Sequence, residues 1–199
     1  MAKLFPDVRH LNLPDGDISY FPEFLSNEKA DDYFKVFLET VPWQQDDIKV
    51  FGKVYAQPRL TALYGNNKKP YTYSGLTMHP HEFTKELLDL KRLIETHTDV
   101  HFTSCLLNLY RDGQDSNGWH ADDEKELGTN PVIASISLGQ ERFFHLKYRQ
   151  DPSLKHKIPL EHGSLLLMKG STQHHWLHQI AKTAKPIAPR INLTFRVIQ

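Results

Sequence analysis

Arg190-Ile191-Asn192-Leu193-Thr194-Phe195-Arg196 alternates strictly between polar and apolar side chains. A period of two is the signature of a β-strand, whose successive side chains point to opposite faces of a sheet. Ile191, Leu193, Phe195 and Val197 therefore share one face, and Arg190, Asn192, Thr194 and Arg196 share the other. Ser104-Cys105-Leu106-Leu107-Asn108-Leu109-Tyr110 reads the same way and puts Asn108 and Tyr110 together. From residue 101 onward such β-rich segments recur, at roughly 101–111, 131–138, 142–149, 163–169, 174–180 and 190–198, separated by Gly and Pro turn signals. Consecutive short strands of this kind predict a sandwich or jelly roll. A polar strand face in that architecture either meets water or lines a pocket between the sheets, and the pattern alone leaves both open.

Upstream the period lengthens to that of a helix. Ser26 can cap a segment from Asn27 to Thr40 in which Ala30, Phe34, Phe37 and Leu38 form one apolar stripe before Pro42 stops it. A second helix is expected to open at Pro80 and run to about Thr96, with Leu87, Leu90, Leu93 and Ile94 as its apolar face. The predicted fold class is α+β, a double-stranded β-helix (jelly roll) with supporting N-terminal helices. No linker divides the chain, so one domain is expected over residues 1–199, with support and substrate recognition at about 1–100 and the jelly-roll core at about 101–199.

Composition narrows the classes further. Cys105 is the one cysteine, which rules out a disulfide scaffold and suits a reducing compartment, the cytoplasm or a nucleus. No apolar run of about 18 residues occurs and the N-terminus lacks an apolar signal core, so neither a membrane span nor secretion is expected. The 24 Lys and Arg balance the 24 Asp and Glu, so a nucleic acid would have to be held by a local basic patch. A monomer is expected.

Chemistry concentrates in Gly118-Trp119-His120-Ala121-Asp122-Asp123-Glu124. His120 and Asp122 stand two apart, which on a strand or extended loop aims both side chains the same way. The stretch His174-His175-Trp176-Leu177-His178 can supply a third ligand, since on a strand His174, Trp176 and His178 share a face. Two imidazoles and one carboxylate on a β scaffold, without thiolates, suit non-haem Fe(II) better than zinc, because they leave positions open for substrate and oxygen. Taken alone, a histidine two residues from an aspartate is more often a hydrogen-bonded loop pair than a ligand set.

The order His120-x-Asp122, His178, Arg190, Arg196 resembles the AlkB family of Fe(II)- and 2-oxoglutarate-dependent dioxygenases. The likeness extends from about Val50 through Val50-Phe-Gly-Lys53, Pro58-Arg-Leu-Thr-Ala-Leu-Tyr-Gly65, Tyr71-Thr-Tyr-Ser-Gly-Leu-Thr77, Asn108-Leu-Tyr110, Ile133-Ala-Ser-Ile-Ser-Leu-Gly139, His162-Gly-Ser-Leu-Leu and Pro189-Arg-Ile-Asn-Leu-Thr-Phe-Arg196. It implies that His120, Asp122 and His178 bind iron, with His174 and His175 at the surface or behind the ligands. It implies that Arg190 grips the distal carboxylate of 2-oxoglutarate, a task suited to a planar, permanently charged fork. Asn108, Tyr110, Asn192, Thr194 and Arg196 would complete that pocket. The strand between Arg190 and Arg196 spans about 20 Å, so both serve one small molecule only if their side chains converge. The activity implied is oxidative demethylation of bases such as 1-methyladenine and 3-methylcytosine in DNA, or in RNA, with O2 consumed, 2-oxoglutarate decarboxylated and formaldehyde released.

Such bases are cationic, and the resemblance points to Asp123 and Glu124 as carboxylates for them; both otherwise read as solvated loop residues. It points to Tyr71 and Tyr73, with Tyr64 nearby, as rings that sandwich an extruded base, where aromatic trios are otherwise core. Phe51 at a hairpin tip would wedge into a duplex, and Lys53, Arg59, Lys68 and Lys69 would meet phosphates. A zinc hydrolase on the same three ligands would leave the arginine-bearing strand without a role. A non-catalytic nucleic-acid binder would keep Phe51 and Tyr73 but would not need the triad.

Overall fold

The strand at 190–196 forms as its alternation predicts, and every one of its residues is buried. Its polar face is thus turned into the protein, and the open choice between water and pocket falls to the pocket. The computed structural model describes residues 8–50, 53–66, 71–73 and 76–199, with the backbone alone at 48–50, 53, 71–73 and 76.

A hairpin of β1 (Arg9–Leu13) and β2 (Gly16–Phe21) comes first, followed by α1 (Asn27–Thr40). The hairpin β3 (Asp47–Val50) and β4 (Lys53–Ala56) precedes β5 (Leu60–Gly65), and a short hairpin of β6 (Tyr71–Tyr73) and β7 (Leu76–Met78) precedes α2 (Lys85–Glu95). The C-terminal half runs β8 (Ser104–Tyr110), β9 (Asn117–His120), β10 (Ile133–Gly139), β11 (Arg142–Tyr148), β12 (Lys155–Leu160) and β13 (Ser164–Lys169). The helical turn α3 (Thr172–His175) then leads into β14 (Trp176–Ile180), and β15 (Arg190–Arg196) ends the fold. The strands make a seven-stranded sheet, β1-β2-β13-β10-β15-β8-β5, facing a four-stranded sheet, β12-β11-β14-β9. Neighbours in both sheets pair antiparallel. This is the expected jelly roll.

Two apolar layers hold it. Leu107, Leu193 and Phe195 face α1 and α2, packing with Phe37, Leu87, Leu90 and Ile94. Between the sheets, Leu106, Leu146, Leu166 and Trp176 form a second cluster. The strict period of two is what lets one strand serve both layers: β15 gives its aliphatic residues to the helices and its polar ones to the space between sheets.

Helix α1 has the predicted bounds, capped by Ser26, whose side chain accepts from the Lys29 amide. Helix α2 does not open at Pro80. Residues 80–83 instead continue the edge of β5, with the Gly65 amide donating to His81 O at 2.9 Å and the His81 amide to Leu63 O at 2.8 Å. Thr84, whose hydroxyl accepts from the Leu87 amide at 3.3 Å, is the cap. A second difference falls at 174–180, where residues 172–175 wind into α3 and the strand starts only at Trp176.

Candidate metal centre and co-substrate pocket

Strand β9 ends at His120, and Asp122 follows it past Ala121. His120 pairs in register with His178 of β14. The rings lie 4.2 Å apart between centroids, edge to face. Asp122 Oδ2 is 3.9 Å from His178 Nε2, and potential ligand atoms of all three residues fall within 4.8 Å of one another. Sheet pairing brings the two histidines together, and the tight exit from β9 turns the carboxylate to the same point.

The second ring nitrogens and the backbone fix these side chains. His120 Nδ1 donates to Gly118 O at 2.8 Å, which leaves the Nε2 lone pair for a metal. In this structure the Asn117 amide nitrogen stands 3.2 Å from that Nε2. The Asp122 amide donates to Gln173 Oε1 at 2.9 Å, tying the ligand loop to α3 just ahead of the strand that carries His178. Phe144 stacks on the His178 ring at 5.0 Å.

Electrostatics prepare the same set for a cation. Burial, with His120 beside it, lowers the His178 pKa to about 3. Burial also lowers that of His120. Both imidazoles are then neutral donors at neutral pH. Burial opposes the charge of Asp122, yet Arg196, His178 and His120 outweigh it and hold the carboxyl below its ordinary range. Arg196 is the close partner, its Nη2 donating to Asp122 Oδ1 at 2.7 Å.

The triad opens onto a cavity of about 560 Å³, counted to its open mouth, between the two sheets. Arg190 lies in its wall, 1% exposed. Its Nη2 donates to Ser137 Oγ at 2.9 Å, while its buried Nε and Nη1 have no hydrogen-bond partner. Burial lowers its pKa to about 10, which still leaves it charged at neutral pH. A buried cation with two unmatched donors costs free energy unless an anion completes it. The Tyr110 ring lies under this guanidinium at 5.2 Å. Asn192 donates to Ser135 Oγ at 2.7 Å and accepts from the Thr194 hydroxyl at 2.9 Å, so those polar groups are satisfied inside the wall. The donor set therefore fits both a divalent cation and a small dicarboxylate.

Not every expected residue reaches this cavity. Arg59 does line it, but is 3% exposed. Its Nε donates to Asn108 Oδ1 at 2.7 Å and Nη1 to Ser116 O at 3.2 Å, so it belongs to the wall and not to a phosphate-facing surface. Tyr64 is core, packed with Leu107 and tilted against His81. Asp123 is paired with Arg149 at 2.7 Å, and neither it nor Glu124 is among the cavity-lining residues. The side chains of Tyr71 and Tyr73, with Lys53, lie outside the described residues, as do Phe51, Lys68 and Lys69. His174 Nε2 donates to Asn130 Oδ1 at the surface, and His175 stacks on Tyr148.

Sequence reasoning missed Arg142 and Gln173. Arg142 donates to the carbonyls of Asp112, Asp115 and Ala181 and lies 5.8 Å from the Tyr110 ring, on the inward face of β11 beside Phe144 and Leu146. An arginine on the apolar phase of an alternating strand was its available signal. Gln173 had none, because its role depends on α3.

A jelly roll that gathers two imidazoles and a carboxylate at one buried point, beside a pocket with an uncompensated guanidinium, defines a non-haem iron oxygenase core. A sequence model of the 2OG-Fe(II) oxygenase superfamily matches residues 17–196. Alpha-ketoglutarate-dependent dioxygenase alkB homolog 3 of Bos taurus is 44% identical over 191 residues, covering 89% of this chain and 64% of that protein. DNA oxidative demethylase ALKBH2 of Homo sapiens is 36% identical over 203 residues, covering 97% of this chain and 77% of that one. The solved structure of OsALKBH1 superposes with a TM-score of 0.69 at 16% identity, over 96% of this chain and 99% of that chain. The chain belongs to the AlkB family within the 2OG-Fe(II) oxygenase superfamily. That superfamily is named for 2-oxoglutarate and Fe(II), which the donor set fits, and the chain spans just under two thirds of the length of the alkB homolog 3 proteins it matches. No helix of the described residues is long and apolar enough to cross a membrane.

Proposed function

We propose that this chain is an oxidative demethylase of alkylated bases in DNA. Bound Fe(II) with 2-oxoglutarate and O2 supplies the oxidising power that hydroxylates the methyl carbon, after which formaldehyde leaves. The protein's own residues position the reactants. His120, Asp122 and His178 hold the ion, and Gln173, Gly118 O and Arg196 keep those three in register. Arg190, a buried guanidinium with donor capacity left over, takes the distal carboxylate of 2-oxoglutarate. Tyr110, Asn108, Asn192 and Thr194 shape the pocket around it, and Arg196 closes it on the metal side. Asn108 also joins the co-substrate wall to Arg59, which lines the same cavity.

The observation that carries the reading is Arg190, a fully buried cation lacking an anion, in the same cavity as the triad. The relatives named for DNA demethylation supply the substrate class. The test is release of succinate and formaldehyde from a 3-methylcytosine oligonucleotide with ferrous iron and 2-oxoglutarate. Turnover that survives in Asp122→Ala removes the iron assignment. Uncoupled succinate release with no formaldehyde from any methylated strand keeps the oxygenase and removes the nucleic-acid substrate.

A further inference from the structure

The outer faces of the two sheets are treated differently. Helices α1 and α2 are committed to the larger sheet, while on the smaller one Phe143 is 43% and Trp119 38% exposed. Strand β11 alternates, so Phe143, His145 and Lys147 point outward, opposite its buried partners. Register then sets Lys157 of β12 across from His145, and Lys155 across from Lys147. On the other side of β11, Gln179 and Leu177 of β14 complete the rows. Among the described residues no acidic side chain falls on this face. Glu141, Asp151 and Glu161 lie beyond the strand ends, and Asp123 is taken by Arg149. Among the same residues no ion pair involves Lys147, Lys155 or Lys157.

Two of these ammonium groups rest on the rings instead. Lys157 Nζ is 3.6 Å from the Phe143 centroid and Lys147 Nζ 4.4 Å from that of Trp119. Burial and the adjoining Lys157 hold His145 below its ordinary pKa, as a face without carboxylates requires. Exposed aromatic faces interleaved with cations outside any ion pair, on an open sheet, match the chemistry of unpaired bases joined by phosphates. An acidic peptide would use the lysines but leave the exposed parts of Phe143 and Trp119 to water.

We propose that the outer face of β12-β11-β14-β9 is a second binding surface, taking single-stranded nucleic acid with Phe143 and Trp119 stacking bases and Lys147, Lys155 and Lys157 meeting phosphates. It lies back to back with the cavity, since Trp119 and its neighbour His120 occupy successive positions of β9, one outward and one toward the site. A strand held there would tether the protein near further lesions without occupying the metal centre. The inference goes beyond the demethylase reading and shares with it only the class of partner.

The test measures binding of an unmethylated, labelled oligothymidine about 15 nucleotides long to the whole chain by fluorescence anisotropy across a salt series, with no iron added. Lys147→Gln with Lys157→Gln should weaken binding about 10-fold at low salt. The slope of log K against log salt should fall by about 1.4, at about 0.7 for each phosphate that no longer meets a lysine. Phe143→Ala should weaken binding about 5-fold or more with the slope unchanged, the mark of weakened stacking. Identical affinity and slope in all variants would overturn the proposal. So would weakening by the lysine pair but none by Phe143→Ala, together with equal competition by polyglutamate, which would assign the face to acidic protein. Succinate and formaldehyde assays on a methylated trinucleotide, too short to span both faces, report separately on the demethylase reading.

Discussion

Arg190 and Arg196 show how position along one strand divides labour between two identical side chains. Their separation of about 20 Å along β15 is resolved by giving each its own partner, Ser137 and the cavity for one and Asp122 for the other. Arg196 is thus spent on the Asp122 carboxylate, and Arg190 keeps buried donors that no protein group takes. A guanidinium offers parallel donors in a plane that an ammonium cannot reproduce. Arg190→Lys keeps the charge and loses the fork, so the apparent KM for 2-oxoglutarate should rise about 10-fold or more, with a smaller change in kcat at saturation. Steady-state succinate release at varied 2-oxoglutarate reads this directly, and an unchanged KM would move the anion site elsewhere.

At the scale of elements, what is legible in the sequence follows from strong local periodicity. Helix α1 and the alternating strands β8, β10, β11 and β15 are set by side-chain pattern and lie within about three residues of expectation. Strands β1, β2, β5, β9 and β12, which the pattern does not reveal, lack that autonomy. Strand β12 reads Lys155-His156-Lys157-Ile158-Pro159-Leu160, mostly polar, and exists because β11 gives it a ladder. The start of α2 departs from expectation because Pro80 is a common type of first helical residue, while its tertiary role at β5 is invisible locally. There a Cβ added to Gly65 would come within 3.2 Å of Pro80, so the two segments pack closely. Of the site, the triad and Arg190 are readable as residue types in order, whereas Gln173 and Arg142 act through contacts that only the fold creates. The cap assignment gives a clear contrast. Thr84→Ala should cost about 1 kcal/mol of stability by removing the Leu87 amide's partner, measured by chemical denaturation, whereas Pro80→Ala should leave the onset of α2 and its amide protection where they are.

For the whole molecule, the buried triad makes stability depend on pH even before a metal binds. The His178 pKa is about 3 in the fold against about 6.5 in an unfolded chain. The unfolded state therefore binds a proton first as pH falls. The neutral imidazole's contribution is complete above pH 6.5 and is lost progressively from there down to about 3. Taken alone, this group tilts the unfolding free energy by about 1.4 kcal/mol per pH unit across that window. Asp122, held low mainly against its own burial by Arg196, adds loss of the same sign below the ordinary carboxylate range. A divalent ion sharpens the dependence, because it binds only the neutral rings and the carboxylate, and so stabilises the folded state by mass action at neutral pH and little in acid. Thermal unfolding of metal-free protein should thus shift downward between pH 7 and pH 5, and added Mn(II) should raise the midpoint at pH 7 by several degrees while doing little at pH 5. His178→Gln, neutral at every pH, should make the metal-free profile shallower, leaving the slope that His120 and Asp122 impose, and should abolish the Mn(II) shift. A flat profile in the parent protein, or an Mn(II) shift that survives the substitution, would show that neither the proton nor the metal is read at this residue.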